Sequence, residues 1–142
     1  MNDSELFFLD TNILLYYYQK ENSNKKVKAE NLINQCWNRK IRLAISNQVL
    51  SEFSSIALKK LKLTNEEIET IVRDIVKFTN FIKINYTDKT IISAIEIIKK
   101  FSKHFLDSLI IANMKENNLS NIYTENIKDF QIEGIKAINP LL

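Results

Sequence analysis

Glycine, proline, cysteine and histidine each occur only once in this 142-residue sequence. A single glycine excludes the glycine-rich phosphate loops of nucleotide-binding folds, which need several glycines in one turn. The one cysteine, Cys36, permits no internal disulfide, which is typical of a protein kept in a reducing cytoplasm. One cysteine and one histidine also leave too few ligands for a zinc site. Carboxylate, amide, hydroxyl and lysine side chains therefore remain as the groups available for chemistry.

The sequence also lacks long apolar runs and a strong charge of one sign. No apolar run approaches the roughly 20 residues that span a bilayer, so we expect no contact with a membrane. The net charge of +3 permits RNA binding but does not by itself indicate it. Hydrophobic residues make up 45% of the chain and charged residues 26%, as in a globular protein. Because no repeat or linker divides the chain, residues 1–142 are predicted to form a single domain.

Short apolar segments alternate with amphipathic helical patterns along the chain. The periodicity predicts strands at residues 6–10, 41–45, 81–85, 121–124 and 135–138, and helices near 14–18, 29–37, 49–61, 68–78, 91–101 and 106–113. Thr64 and Glu67 form a capping-box pattern before the fourth of these helices. Strands separated by helices predict an α/β protein, a three-layer α/β/α sandwich with a central, mainly parallel sheet.

Four acidic residues fall where strands end or the following helices begin. Asp10 closes the first predicted strand, and Glu52 lies in the first turns of the helix after the second. Asp107 is embedded in an otherwise apolar segment, and Asp129 follows the fourth strand. Because functional groups gather at the carboxyl ends of parallel strands, these acids are expected to meet at one edge of the sheet.

A cluster of carboxylates needs a compensating charge, because like charges raise one another's pKa. Mg²⁺ and Mn²⁺ prefer such hard oxygen ligands and usually retain several waters. A divalent cation held in this way polarises a phosphoryl oxygen and activates water for attack on phosphorus. The acid placement therefore predicts a Mg²⁺ or Mn²⁺ site suited to hydrolysis at phosphorus.

Four short motifs occur in a characteristic order along nearly the whole chain, from about residue 6 to residue 138. They are Leu9-Asp10-Thr11-Asn12-Ile13, Ser51-Glu52-Phe53, Leu106-Asp107-Ser108-Leu109-Ile110, and Thr124-Glu125-Asn126 with Asp129-Phe130. This series resembles the PIN-domain ribonucleases, and most of all the VapC-like toxins of type II toxin–antitoxin systems. The first motif alone is moderately specific, whereas all four in order form a strong signal.

The resemblance implies a metal-binding role for three acids, Asp10, Glu52 and Asp107. The fourth acid differs among relatives. Some carry Asp where this chain has Asn126, while others resemble the Asn-x-x-Asp-Phe pattern found here. Asp129 is therefore the predicted fourth ligand, and Glu125 remains an alternative.

The resemblance also implies roles for four polar residues around the metal. Thr11 would shape the site through its hydroxyl, and Asn12 would brace the loop at Asp10. Thr124 and Asn126 match a polar pair near the metal. The implied activity is endoribonuclease cleavage that leaves a 5′-phosphate and a 3′-hydroxyl. A cognate antitoxin as protein partner and a homodimer are implied in the same way.

Each acid also has an ordinary structural interpretation. Asp10 and Asp107 could be helix caps, Asp129 could belong to a turn, and Glu52 could be a solvated helix residue. His104 is interpreted as a surface residue and kept out of the site. The lysine runs at residues 25–28, 59–62 and 99–103 are interpreted mainly as solvated helix faces. Cys36 and Trp37 are expected to pack in the core.

Three other functions compete with a ribonuclease. A receiver-type signalling domain would need paired acids near its N-terminus, and the Asp-Thr-Asn segment at residues 10–12 does not supply them. A phosphatase with an aspartyl nucleophile would need a second Asp at the position of Asn12. A PIN-like RNA- or protein-binding module without catalysis is the third alternative. The presence of Asp10, Glu52 and Asp107 argues against it, because a degenerate site should have lost at least one acid.

Overall fold

Five short parallel strands form a single sheet in the computed structural model, which describes residues 5–142. Residues 1–4 of the predicted domain lie outside the described part of the chain. The strands are β1 (Phe7–Leu9), β2 (Leu43–Ser46), β3 (Phe81–Ile84), β4 (Asn121–Tyr123) and β5 (Lys136–Ile138). Every paired strand is parallel, so the predicted α/β class with a mainly parallel sheet is confirmed.

Within residues 5–142, six α-helices and two shorter helical segments connect the strands. The helices are α1 (Thr11–Tyr18), α2 (Asn24–Trp37), α3 (Asn47–Ile56), α4 (Asn65–Lys77), α5 (Asp88–Phe101) and α6 (Phe105–Glu116). A π-helical segment, Ala57–Leu61, continues α3, and a 3₁₀ segment, Ile127–Phe130, follows β4. None of the helices within residues 5–142 is both long enough and apolar enough to cross a membrane.

The strand order β3-β2-β1-β4-β5 places a topological switch between β1 and β4. From β1 the chain moves outward through β2 to β3, and it returns to the other side of β1 for β4 and β5. Phe8 pairs with Ala44 of β2 on one side and with Ile122 of β4 on the other. In open parallel sheets the crevice outside the strand ends at such a switch is the usual ligand site.

The central strands are buried on both faces. All three residues of β1 and all four of β2 are buried, as expected where helices cover both sides of a parallel sheet. Cys36 is also fully buried, and the Trp37 ring lies 4.8 Å from the Phe78 ring and 5.0 Å from the Phe81 ring. The prediction that Cys36 and Trp37 pack in the core is therefore confirmed.

Helices α1 and α2 begin earlier than the apolar patterns predict, because capping residues define where these helices start. Helix α1 begins at Thr11 rather than near residue 14, because Asp10 caps it. Helix α2 begins at Asn24 rather than near residue 29, because the Ser23 hydroxyl accepts the Lys26 N–H. Cap residues precede the apolar stripe, so a pattern of apolar positions alone places a helix start too late.

The predicted helix at residues 49–61 is not one regular helix. Helix α3 ends at Ile56 and the π-helical segment then extends to Leu61. Lys62 follows in the left-handed conformation with φ of 57° and ends the helical path. Apolar residues keep helical spacing across the junction. The change from α-helical to π-helical hydrogen bonding therefore cannot be recognised in the sequence pattern.

Candidate active site

Asp10 occupies the carboxyl end of β1, at the switch between β1 and β4. Its backbone N–H donates to the Tyr123 carbonyl at 3.0 Å, which ties the residue to the end of β4. The side chain caps α1, since its Oδ1 accepts the Thr11 N–H at 2.8 Å. Its Oδ2 accepts the Thr124 hydroxyl at 2.7 Å. Asp10 is thus a helix cap and also a carboxylate fixed in orientation, with 8% of its surface exposed.

Glu52 reaches the same edge from α3, whose start is capped by the Ser46 hydroxyl at the end of β2. The Thr11 hydroxyl donates to Glu52 Oε1 at 2.8 Å, although 41 residues separate the two in sequence. The Gln48 amide donates to Glu52 Oε2 at 3.4 Å and to the Leu106 carbonyl at 3.0 Å. These bonds link Glu52 to the loop at Asp10 and to the first turn of α6.

Asp107 lies in that first turn of α6, three residues after the exposed N-cap His104. Burial is the largest cause that raises the pKa of the Asp107 carboxyl to about 6, followed by the negative charges of Asp129 and Asp10. Glu52 acts in the same direction, whereas the nearby His104 lowers this pKa. The four predicted acids therefore share one electrostatic environment.

The pKa of Asp10 is raised as well. Burial is the main cause, and the charges of Glu52 and Asp129 add to it. The hydrogen bonds from Thr124 and Thr11 act in the opposite direction, because they stabilise the charged carboxylate. Two carboxyls of the cluster thus bind protons more tightly than isolated aspartates do, a property that a divalent cation would reverse.

A polar frame holds the loop after β4 against the loop after β1. The Thr124 hydroxyl donates to Asp10 and accepts the Asn126 backbone N–H at 3.0 Å. The Asn12 side-chain oxygen accepts the Glu125 N–H at 3.4 Å. Thr124 is fully buried, whereas the Asn126 side chain is exposed. The bond from Asn12 braces the two loops against each other.

The two alternatives for the fourth acid occupy different surroundings. Glu125 accepts hydrogen bonds from the Tyr16 hydroxyl at 3.0 Å and from Lys25 of α2, with which it forms an ion pair. Asp129, in the 3₁₀ segment, is the acid whose charge acts on both Asp107 and Asp10. Glu125 is thus engaged by a cation, whereas the charge of Asp129, like that of Glu52, acts on the other two acids.

The sequence model of the family described as PIN domain matches residues 7–131, most of the chain. The chain belongs to the PIN-domain family. No curated protein matches the sequence.

Solved structures share the fold of this PIN domain at low sequence identity. VapC20 of Mycobacterium tuberculosis, a toxin that cleaves the sarcin–ricin loop, superposes with a TM-score of 0.70 at 15% identity, covering 92% of this chain and 98% of that one. A chain of a toxin–antitoxin complex from Klebsiella pneumoniae has a TM-score of 0.66 at 21% identity, covering 94% and 97%. A chain of VapBC2 from Rickettsia felis, bound to promoter DNA, has a TM-score of 0.65 at 21% identity, covering 94% and 98%. The expected resemblance to VapC toxins is therefore confirmed at the level of the fold.

The donor set of this PIN domain fits a hard divalent cation. The cluster offers carboxylate and hydroxyl oxygens, and the buried Asp10 and half-buried Asp107 carry raised pKa values that a cation would lower. Within residues 5–142, no three acidic, histidine or cysteine side chains converge closely enough to bind one ion directly. An ion at this edge would therefore be bound directly by one or two carboxylates and by water, as Mg²⁺ usually is.

Sequence reasoning missed three side chains that contact the site. Gln48 lies one helical turn before Glu52, and this i, i+4 spacing is the signal that could have identified it. Tyr16 and Lys25 hold Glu125 across about 100 residues of sequence, and no local pattern indicates that contact. The lysine run at residues 25–28, interpreted as solvated, therefore includes two lysines with specific partners, since Lys26 also donates to the Gln19 carbonyl.

Proposed function

We propose that this PIN domain is a metal-dependent endoribonuclease and acts as the toxin of a toxin–antitoxin pair. One observation carries the proposal: at the switch point of the sheet, the charges of Glu52 and Asp129 raise the pKa of both Asp10 and Asp107. Four acids at one edge destabilise a protein unless a cation binds them, so their presence is best explained by metal binding. The family provides the reaction class.

In the proposed mechanism, Asp10, Glu52, Asp107 and Asp129 would hold Mg²⁺ or Mn²⁺, one or two of them directly and the others through waters of the ion. When bound, the cation supplies Lewis-acid polarisation of a phosphoryl oxygen and activation of the attacking water. Thr124 and the Thr11 N–H keep the Asp10 carboxylate in one orientation. The Thr11 hydroxyl and Gln48 orient Glu52 in the same way. The products would be a 5′-phosphate and a 3′-hydroxyl.

The toxin role rests on the PIN fold and on its structural neighbours, several of which are toxins crystallised with their antitoxins. A cognate antitoxin that covers the acidic site is therefore the proposed protein partner. A homodimer is the proposed assembly. The proposed location is the cytoplasm, where the RNA substrate and a reduced Cys36 would be found.

The test is cleavage of total cellular RNA by purified, antitoxin-free protein with Mg²⁺, Mn²⁺ or EDTA. We expect discrete fragments that need metal, and a loss of activity of about 100-fold or more in Asp10→Asn. Asp74→Asn, a matched change of an exposed aspartate on α4, should leave cleavage unchanged. Sequencing of the fragment ends would identify the target RNA.

Two outcomes would contradict the proposal. Cleavage that survives Asp10→Asn would assign the activity to other residues or to a contaminant. A folded, metal-loaded protein that binds RNA without cutting it would identify a PIN-like binding module instead.

A further inference from the structure

A pocket of about 400 Å³, lined mainly by residues with polar side chains, opens beside the acidic cluster, on the side of β2 and β3. Glu52 belongs both to the pocket wall and to the cluster, and Gln48 connects that wall to Leu106, the neighbour of Asp107. The volume lies in the range of small-ligand sites. A group bound here would therefore lie next to the reacting phosphodiester.

Four amide side chains dominate the lining: Asn47, Gln48, Asn85 and Asn113. The side-chain oxygen of Asn85 accepts the Asn47 backbone N–H at 3.0 Å, and this bond fixes the orientation of the Asn85 amide. Asn113, only 3% exposed, uses its amide oxygen to accept from Asn117 at 3.1 Å. The NH₂ group of Asn113 can thus donate a hydrogen bond to a ligand. Amides both donate and accept hydrogen bonds, as the edges of nucleobases do.

Two larger side chains border the pocket with apolar surface. Tyr86 is 43% exposed and Leu106 is 52% exposed. An unpaired base can stack on an exposed aromatic ring while its edge meets polar groups, which is the common mode of single-stranded RNA recognition. The combination of one exposed aromatic ring and several amides therefore suits a base more closely than a purely apolar ligand.

The charge of the pocket excludes a phosphate as its occupant. Among the described residues, the lining contains neither lysine nor arginine, and its acid, Glu52, repels anions. Phosphate sites are built from cationic side chains and backbone N–H groups. A nucleotide bound across this edge would therefore place its neutral base in the pocket, and its phosphate would lie at the cation that the acidic cluster is proposed to bind.

We propose that this pocket, lined by the four amides and Tyr86, binds one unpaired nucleobase adjacent to the cleaved phosphodiester and so sets sequence preference. The inference rests on the proposed ribonuclease function for its biological meaning. Base binding itself needs neither metal nor catalysis, so it can be tested separately.

The test is an NMR titration of the metal-free wild-type protein with adenosine, guanosine, cytidine and uridine, and with ribose as the control lacking a base. We expect at least one nucleoside to shift the side-chain amide resonances of Asn47, Asn85 and Asn113 saturably, and ribose to leave them unchanged. Loss of base stacking in Tyr86→Ala should weaken that binding roughly 5- to 150-fold. Tyr86→Phe keeps the ring and should bind within about two-fold of wild type.

A matched control is Phe101→Ala, which removes another exposed aromatic ring at the end of α5. This variant should bind the nucleosides as the wild type does. The proposal is overturned if no nucleoside shifts the pocket amides, if ribose shifts them equally, or if Tyr86→Ala binds as tightly as wild type. Saturable binding by a protein that does not cut RNA would support the pocket and reject the nuclease. RNA cleavage without base binding would reject the pocket alone.

Discussion

At the residue scale, the site depends on two threonine hydroxyls as much as on its acids. The Thr11 hydroxyl donates to Glu52, and the Thr124 hydroxyl donates to Asp10 while accepting from the Asn126 backbone. Each hydroxyl joins segments that are far apart in sequence. Because both hydroxyls bond to predicted metal ligands, they are positioning groups whose removal should change the reaction more than the fold.

Thr124→Val provides a near-isosteric test of this positioning role. The change removes the hydrogen bond to Asp10, so we expect the free energy of unfolding to fall by about 1 kcal/mol. We also expect cleavage to slow about 10- to 100-fold. Thr124→Ser restores the hydroxyl and should recover most of the activity. Single-turnover cleavage rates and urea unfolding measure the two effects. A slow Thr124→Ser variant would mean that packing of the methyl group, rather than the bond to Asp10, matters.

At the element scale, several helices begin at residues that cap them. The Thr64 hydroxyl accepts the Glu67 N–H at 3.0 Å, and the Glu67 carboxylate accepts the Thr64 N–H at 2.9 Å. These reciprocal bonds confirm the capping box predicted from sequence. They also lower the pKa of Glu67, because they stabilise its charged form.

Thr64→Ala should destabilise α4 by removing one of these two bonds. We expect a loss of about 1 kcal/mol in the free energy of unfolding, measured by urea denaturation. The control is Thr70→Ala, on an exposed turn of the same helix, where the hydroxyl bonds only to the Glu66 carbonyl. An equal loss of unfolding free energy in both variants would show that helix propensity, rather than capping by Thr64, determines the stability of the start of α4. RNA cleavage should be unchanged in either variant.

At the scale of the whole molecule, the acidic cluster opposes folding when no cation is bound. The folded-state pKa of Asp107 is about 6, above its usual value of 3.8, so the folded chain binds this proton more tightly than the unfolded chain does. The contribution of Asp107 to stability therefore rises as pH falls through about 6 and is lost as pH increases. The acids that are proposed to bind the metal therefore lower the stability of the metal-free protein.

Asp107→Asn isolates this contribution in metal-free protein. In EDTA near pH 8 the variant should be more stable than wild type by about 1 kcal/mol, and the difference should shrink toward about pH 5. Asp74→Asn, at an exposed position, serves as the control and should show no such trend. Added Mg²⁺ should raise the melting temperature of wild type but not of Asp107→Asn. Thermal unfolding across pH measures all of these effects, and a wild type more stable than Asp107→Asn near pH 8 would contradict the argument.

The sequence by itself determined the order and type of the elements and the acids at their ends. Strands such as Phe7–Leu9 and the amphipathic helices have local signatures, because burial on a sheet or along one helix face imposes a period on apolar residues. Motif order along the chain then indicated the PIN family, whose model matches residues 7–131. Local signals were sufficient for these features because each lies within a few consecutive residues.

Only the tertiary structure decided which distant side chains meet. The bonds from Thr11 to Glu52 and from Tyr16 to Glu125 join residues 41 and 109 positions apart. The amides that line the pocket come from α3, from α6 and from the loop after β3. Strand order and helix packing bring these groups together, and neither is encoded in a local periodicity. The sequence therefore identified the acids at this edge, whereas the fold decided how they are oriented and what lies beside them.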